Sequence, residues 1–130
     1  MPVAGGPTRA ESIARALLKL VDPAFANRNP VRGEGAPFPW GMHHLQGQPA
    51  TSWHGFAAEI MRQAVDLQLL ERAPVVTPIS TLAFATPAQR PANSRLDCGS
   101  AERELGLALP AWREDLHTFL LAAAQAPVHP

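Results

Sequence analysis

The chain has 130 residues, enough for one ordinary domain, of which 46% are hydrophobic and 17% charged. That composition excludes disorder, and the longest apolar runs, such as residues 119–124, fall far short of the ~20 residues a bilayer span needs. The 11 basic and 11 acidic residues balance without a basic block, so neither nucleic acid nor a membrane is expected as a partner.

No basic segment followed by an apolar core opens the chain. The single cysteine, Cys98, cannot close an internal disulfide. Both features suit a reducing cytoplasm. Thr8-Arg9-Ala10-Glu11 has the form of a capping box, in which the threonine oxygen and the glutamate satisfy first-turn amides. It predicts a helix over 9–21, with Ile13, Leu17, Leu20 and Val21 as one buried stripe and Pro23 as its stop. Residues 22–40, rich in Pro, Gly and Asn, read as a long loop, and 41–46 (GMHHLQ) as a short strand.

Thr51 or Ser52 is placed to cap a second helix whose apolar face carries Phe56, Ile60, Ala64 and Leu67. Residues 74–79 (PVVTPI) are β-prone, but Pro78 confines them to a sheet edge. Asp97 is a good N-cap for a short helix ending near Leu105, where Gly106 is the natural terminator. Pro110 opens the last helix, with Trp112, Leu116, Phe119 and Ala123 as its buried stripe. Trp53, Phe56 and Trp112 are read as core first. Helices alternating with short strands point to an α/β or α+β class. Two or three short strands cannot make a doubly wound sheet, so the sheet they belong to is expected elsewhere.

The densest cluster of chemistry is Arg90-Pro91-Ala92-Asn93-Ser94-Arg95-Leu96-Asp97. Pro91 holds the backbone of Arg90 extended, which presents the guanidinium from a stiff loop. Asn93 and Ser94 add neutral polar groups. A forked cation with such neighbours suits paired phosphate oxygens. The same residues can equally serve a surface ion pair at Arg90 and a turn at Asn93.

Residues 86–97 (TPAQRPANSRLD) resemble the segment that marks the dTDP-4-dehydrorhamnose reductase family, which are extended short-chain dehydrogenases. GGPTRAESIARALL is similar to the family's Gly-x-Pro-Thr helix. GMHHLQGQPATSWHGFAAEI is similar to its His-containing strand and Ser-Trp-x-x-Phe-Ala helix. AERELGLALPAWREDL is similar to its closing helices. The matches keep the family's order over most of residues 5–121. The resemblance implies a Rossmann-type α/β enzyme of which residues 1–130 are the helix-rich C-terminal substrate-binding region. It implies that Arg90, Asn93 and Ser94 meet the diphosphate of a dTDP-sugar, and it leaves a homodimer open for the intact enzyme.

Hydride transfer in that superfamily needs a Gly-rich turn against the dinucleotide and a Tyr-x-x-x-Lys pair. This sequence has no such turn and no tyrosine, and its one lysine, Lys19, lies in the first helix. No catalytic residue is therefore assigned. NADPH is expected to be held by an N-terminal Rossmann domain that this sequence does not contain. Some relatives hold a metal through a carboxylate late in the last helix, but no acidic residue follows Asp115. His43 and His44, as strand neighbours, would point to opposite faces, and no metal is expected. Three readings follow: a fragment of the reductase, a non-catalytic binding or regulatory subunit, or a non-functional remnant.

Overall fold

The computed structural model describes residues 4–22, 37–84 and 91–125. Strand β1 (Ala4–Gly5) leads into helix α1 (Ala10–Val21). Coil over residues 37–50 then reaches β2 (Thr51–Ser52), which runs straight into α2 (Trp53–Asp66). Residues 67–84 are mostly exposed and free of helix or strand, and α3 (Gly99–Leu105) and α4 (Trp112–Gln125) complete the order. The strands pair antiparallel, Ala4 opposite Ser52 and Gly5 opposite Thr51. Two isolated parallel bridges, Ala4 with Asn93 and Gln48 with Ala111, tie later segments to this small sheet. The expected helix-rich architecture with few, short strands is thus what the chain adopts.

Two expected strands do not form. Residues 41–47 run as coil, and 74–79 as exposed coil in which Val75 is 93% exposed. Neither has a neighbouring strand among the described residues, and β-propensity without a partner ladder stabilises little. His43 and His44 are therefore not strand neighbours. His43 instead bonds the Pro39 carbonyl at 2.7 Å and the Ser100 hydroxyl at 3.3 Å.

The helix ends are partly as the sequence implies. Ser52 accepts from the Gly55 amide at 3.0 Å and caps α2. Gly106 terminates α3 in the left-handed region at φ 63°. Asp97 accepts from the Gly99 amide at 2.9 Å, although the helix begins one residue later than the pattern suggests, with Cys98 at the N-cap. The capping box at Thr8 does not form. Arg9 is the N-cap of α1 without a side-chain bond, while Thr8 accepts from the Gly47 amide at 2.9 Å and donates to the Gly6 carbonyl. Glu11 pairs with Arg9 and Arg15 instead of reaching back to the backbone.

The core is small. Ala101, Leu105 and Leu107 form one cluster, against which Ala16, Leu20 and Phe38 pack. Trp112, 2% exposed, anchors the other side. Its ring meets Phe56 edge-on at 5.5 Å, and its indole N–H donates to the Pro49 carbonyl at 2.6 Å. On α2, Ala64 is buried and Phe56, Ile60 and Leu67 are half-buried, as their spacing implies. Other expected core positions are open. Trp53 is 67% exposed, Ile13 40%, Leu17 59%, Val21 75% and Phe119 53%. Ala123 is exposed as well. Only the Ala16–Leu20 edge of α1 finds a partner, because the described residues place no further layer over the remaining stripe.

Helix α2 is joined to α4 by Gln63, buried at 4% exposure, whose amide donates to the Arg113 carbonyl at 3.0 Å and to Glu59 at 2.9 Å. Glu59 also receives Arg62. These hydrogen bonds, chiefly from Arg62, hold the Glu59 carboxyl down at about 2 against an ordinary 4.5. A depressed folded-state value stabilises the fold above the unfolded value and loses that contribution as pH falls toward the folded one. Wild-type stability should therefore decline between pH 4.5 and about 2 by more than that of Glu59→Gln. Urea melts across this range check it, and parallel acid limbs for the two proteins would contradict it.

Candidate functional site

The segment that carries the sequence-predicted site is held from two sides. From β1, the Ala4 carbonyl accepts from the Ser94 amide at 2.8 Å and from the Ser94 hydroxyl at 3.0 Å, while the Ala4 amide donates to the Ala92 carbonyl at 3.1 Å. From the other side comes Gln46, 8% exposed. Its carboxamide donates to the Ser94 carbonyl at 3.1 Å and accepts from the Leu96 amide at 2.9 Å. One side chain thus offers the donor and the acceptor that a neighbouring strand would have offered.

The three predicted site residues fare differently. Arg90 lies outside the described residues. Asn93 builds a turn: its carbonyl oxygen accepts from the Arg95 amide at 3.1 Å and from the Arg95 side-chain Nε at 2.9 Å. Ser94 gives its single hydroxyl hydrogen to Ala4, so toward a ligand it offers lone pairs unless that bond is broken. What Asn93 can still donate is its amide nitrogen. Arg95, absent from the sequence prediction, has one edge of its guanidinium fixed by Asn93, which leaves the terminal nitrogens for an anion.

Ser94 also lines a cavity of about 620 Å³ between the β1–α1 turn, α2 and α4. Its walls are largely carbon, from Trp53, Phe56, Ile60, Trp112, Leu116 and Phe119, with Thr8, Arg9, Gln46, Ser52 and Asp115 among the polar members. Asp115 accepts from the Ser12 hydroxyl at 2.6 Å, and Arg9 pairs with Glu11 at 2.5 Å. A wall of this kind receives rings and aliphatic surface better than a diphosphate. Gln46, Arg9 and Asp115 were not legible as site residues. The only signal for Gln46 is a glutamine at the end of a run that reads as a short strand.

The glycines at the strand-to-helix turn test whether a dinucleotide fits here. A phosphate-binding turn uses glycine to leave open space for the ligand. Here a Cβ on Gly6 would stand 2.1 Å from the Gly47 carbonyl oxygen and 2.5 Å from the Gln46 side chain, and one on Gly5 would stand 2.7 Å from the Ser94 hydroxyl. The space is filled by protein, so these glycines serve packing and do not fit NADPH. Among the described residues no three His, Cys, Asp or Glu side chains gather to hold a metal ion. His54 bonds the Val76 carbonyl at 3.0 Å, and Cys98 is buried with its thiol toward the Leu96 carbonyl. No helix among the described residues is long and apolar enough to cross a membrane.

Comparison with known proteins gives a consistent picture. Residues 3–125 match the RmlD substrate binding domain family. The chain is 38% identical over 111 residues to a dTDP-4-dehydrorhamnose reductase of Burkholderia thailandensis, covering 84% of this chain and 36% of that protein. It is 33% identical over 112 residues to one from Aggregatibacter actinomycetemcomitans, covering 86% and 35%. A crystal structure of a dTDP-4-dehydrorhamnose reductase from Clostridium acetobutylicum superposes with a TM-score of 0.73 at 27% identity, over 95% of this chain and 37% of that one. The chain thus spans little more than a third of the length of the curated relatives it matches.

The filled space at Gly6 makes a direct prediction. Gly6→Ala should destabilise the chain by about 1–3 kcal/mol, the usual cost of overpacking. A denaturant midpoint left unchanged by Gly6→Ala would contradict the packing role.

Proposed function

The chain belongs to the RmlD substrate binding domain family, and on that footing we propose that it is the nucleotide-sugar-holding part of a dTDP-4-dehydrorhamnose reductase. The complete enzyme would reduce the C4 ketone of dTDP-4-dehydro-L-rhamnose to the alcohol of dTDP-L-rhamnose. NADPH supplies the hydride in that reaction. A separate N-terminal portion would hold the cofactor and provide the proton donor, since this sequence has no tyrosine. The chain's own part is to bind: the loop from Arg90 to Arg95 takes the diphosphate, and the carbon-lined cavity beside Ser94 takes apolar surface.

The observation that carries this reading is the anchored loop. Its backbone is tied at 92, 94 and 96 to β1 and Gln46, with Arg95 oriented by Asn93 between the ties. A loop fixed before the ligand arrives loses less conformational entropy on binding. The exposed stripe of α1, with Leu17 and Val21 more than half open, supports the need for a further portion. Apolar surface of this kind normally meets a partner.

A second reading, a non-catalytic nucleotide-sugar-binding subunit, rests on the same anchored loop without the redox step. An in-frame Gly-rich turn and Tyr-x-x-x-Lys on the N-terminal side of the coding sequence would decide for the enzyme.

Calorimetric titration of the folded chain with dTDP should give a saturable heat. A folded protein that gives none at millimolar ligand would remove the binding-subunit reading. In the complete enzyme, Arg90→Ala should cost about 1.5–3 kcal/mol of substrate interaction, as expected for charged hydrogen bonds to phosphate. Unchanged kcat and KM would reject that role for Arg90.

A further inference from the structure

We infer that Gln46 is a positioning residue for the phosphate-facing loop, holding residues 94–96 in the one register that presents the Arg95 guanidinium to a nucleotide diphosphate. The inference rests on the binding role proposed above and adds a determinant outside the loop. Fifty residues separate Gln46 from Leu96 in sequence, yet the carboxamide meets both the Ser94 carbonyl and the Leu96 amide. These groups flank Arg95, whose own amide and Nε are taken by Asn93. On the far side, Ala4 holds only the 92 and 94 positions. Without the carboxamide, Leu96 loses the acceptor that fixes the exit of the loop, and Arg95 gains freedom along the chain.

The clamp is itself rigid. Gln46 is 8% exposed, its side chain packs on Gly6 where no Cβ can stand, and the Gly47 amide that follows it is fixed by Thr8. A buried carboxamide with both ends satisfied has one orientation, since reversing it would set donor against donor and acceptor against acceptor. Loop geometry is therefore tied to the β1–α1 turn, which lines the same cavity as Ser94.

The test uses the full 130-residue chain, with dTDP affinity by calorimetry and helix content by circular dichroism, for wild type, Gln46→Met and Gln46→Glu. Methionine fills the space and offers neither donor nor acceptor, so dTDP should bind about tenfold more weakly at every pH. A protonated carboxyl in Gln46→Glu keeps one donor and one acceptor, whereas the carboxylate has no donor and repels the Ser94 carbonyl. Its affinity relative to wild type should fall about tenfold as pH rises through that ionisation, with helix content unchanged. Arg9 and Asp115, the charged groups lining the same cavity, are common to all three proteins, as is the ligand's own titration. If Gln46→Met does not fold, the pH-dependent ratio for Gln46→Glu decides. Wild-type binding matched by both variants at every pH would overturn the positioning role and leave the binding role standing. Loss of helix in step with loss of affinity would also overturn it. Absence of dTDP binding by wild type would instead fell the binding role, and this inference with it.

Discussion

The Trp112 indole is the point on which the fold converges. It is the largest fully buried side chain among the described residues, and it ties the start of α4 to the coil at Pro49 and to Phe56 of α2, more than fifty residues earlier in the chain. Its N–H reaches the Pro49 carbonyl, its ring takes the edge of Phe56 on α2, and the guanidinium of Arg113 lies 4.5 Å above it. The neighbouring backbone repeats the connection, with the Gln48 amide donating to the Pro110 carbonyl and the Trp112 amide to the Gln48 carbonyl. A buried indole needs an acceptor for its one donor. Meeting that need fixes the coil at 46–50 against the start of α4, and so fixes where Gln46 stands.

From that position the rest of the site follows. Gln46 and β1 together replace the strands that would ordinarily flank residues 92–96. The two-residue sheet could not hold a loop by itself. Glycines at 5, 6 and 47 let backbone and side chains approach closely enough for these bonds to form. The same close approach fills the side of Gly5 and Gly6 on which a Cβ would stand. Recognition of a nucleotide sugar, as proposed, is then a matter for the loop and the cavity alone, and redox chemistry for a separate part.

The distribution of apolar surface agrees with that division. Trp112 and Leu116 on α4 and Ala64 on α2 are covered, and α2 and α4 are packed on each other. Helix α1 contributes only Ala16 and Leu20 to the core, and no residue of it is fully buried. An amphipathic helix draws most of its stability from the face it buries. On this helix most of that face waits for a surface that the described residues do not provide.

Local signals in the sequence determined the helices, the Ser52 cap, the glycine stop at 106 and the buried stripe through Trp112 and Leu116, because each depends on neighbours within a turn or two of chain. The run from Arg90 to Asp97 stood out as a candidate site by its residue types, and the family by the order of its motifs. Burial of Ile13, Leu17, Trp53 and Phe119 was not determined in this way. Periodicity says which face is apolar and is silent on whether anything covers it. Thr8 fitted a capping pattern but was drawn away by the Gly47 amide, and residues 41–46 alternated like a strand with no ladder to join. Asn93 turned its side-chain oxygen to Arg95 and Ser94 its hydroxyl to Ala4, while the Gln46 carboxamide met Ser94 and Leu96. Only the tertiary structure could decide these, since each rests on a hydrogen bond or a contact whose partner lies tens of residues away.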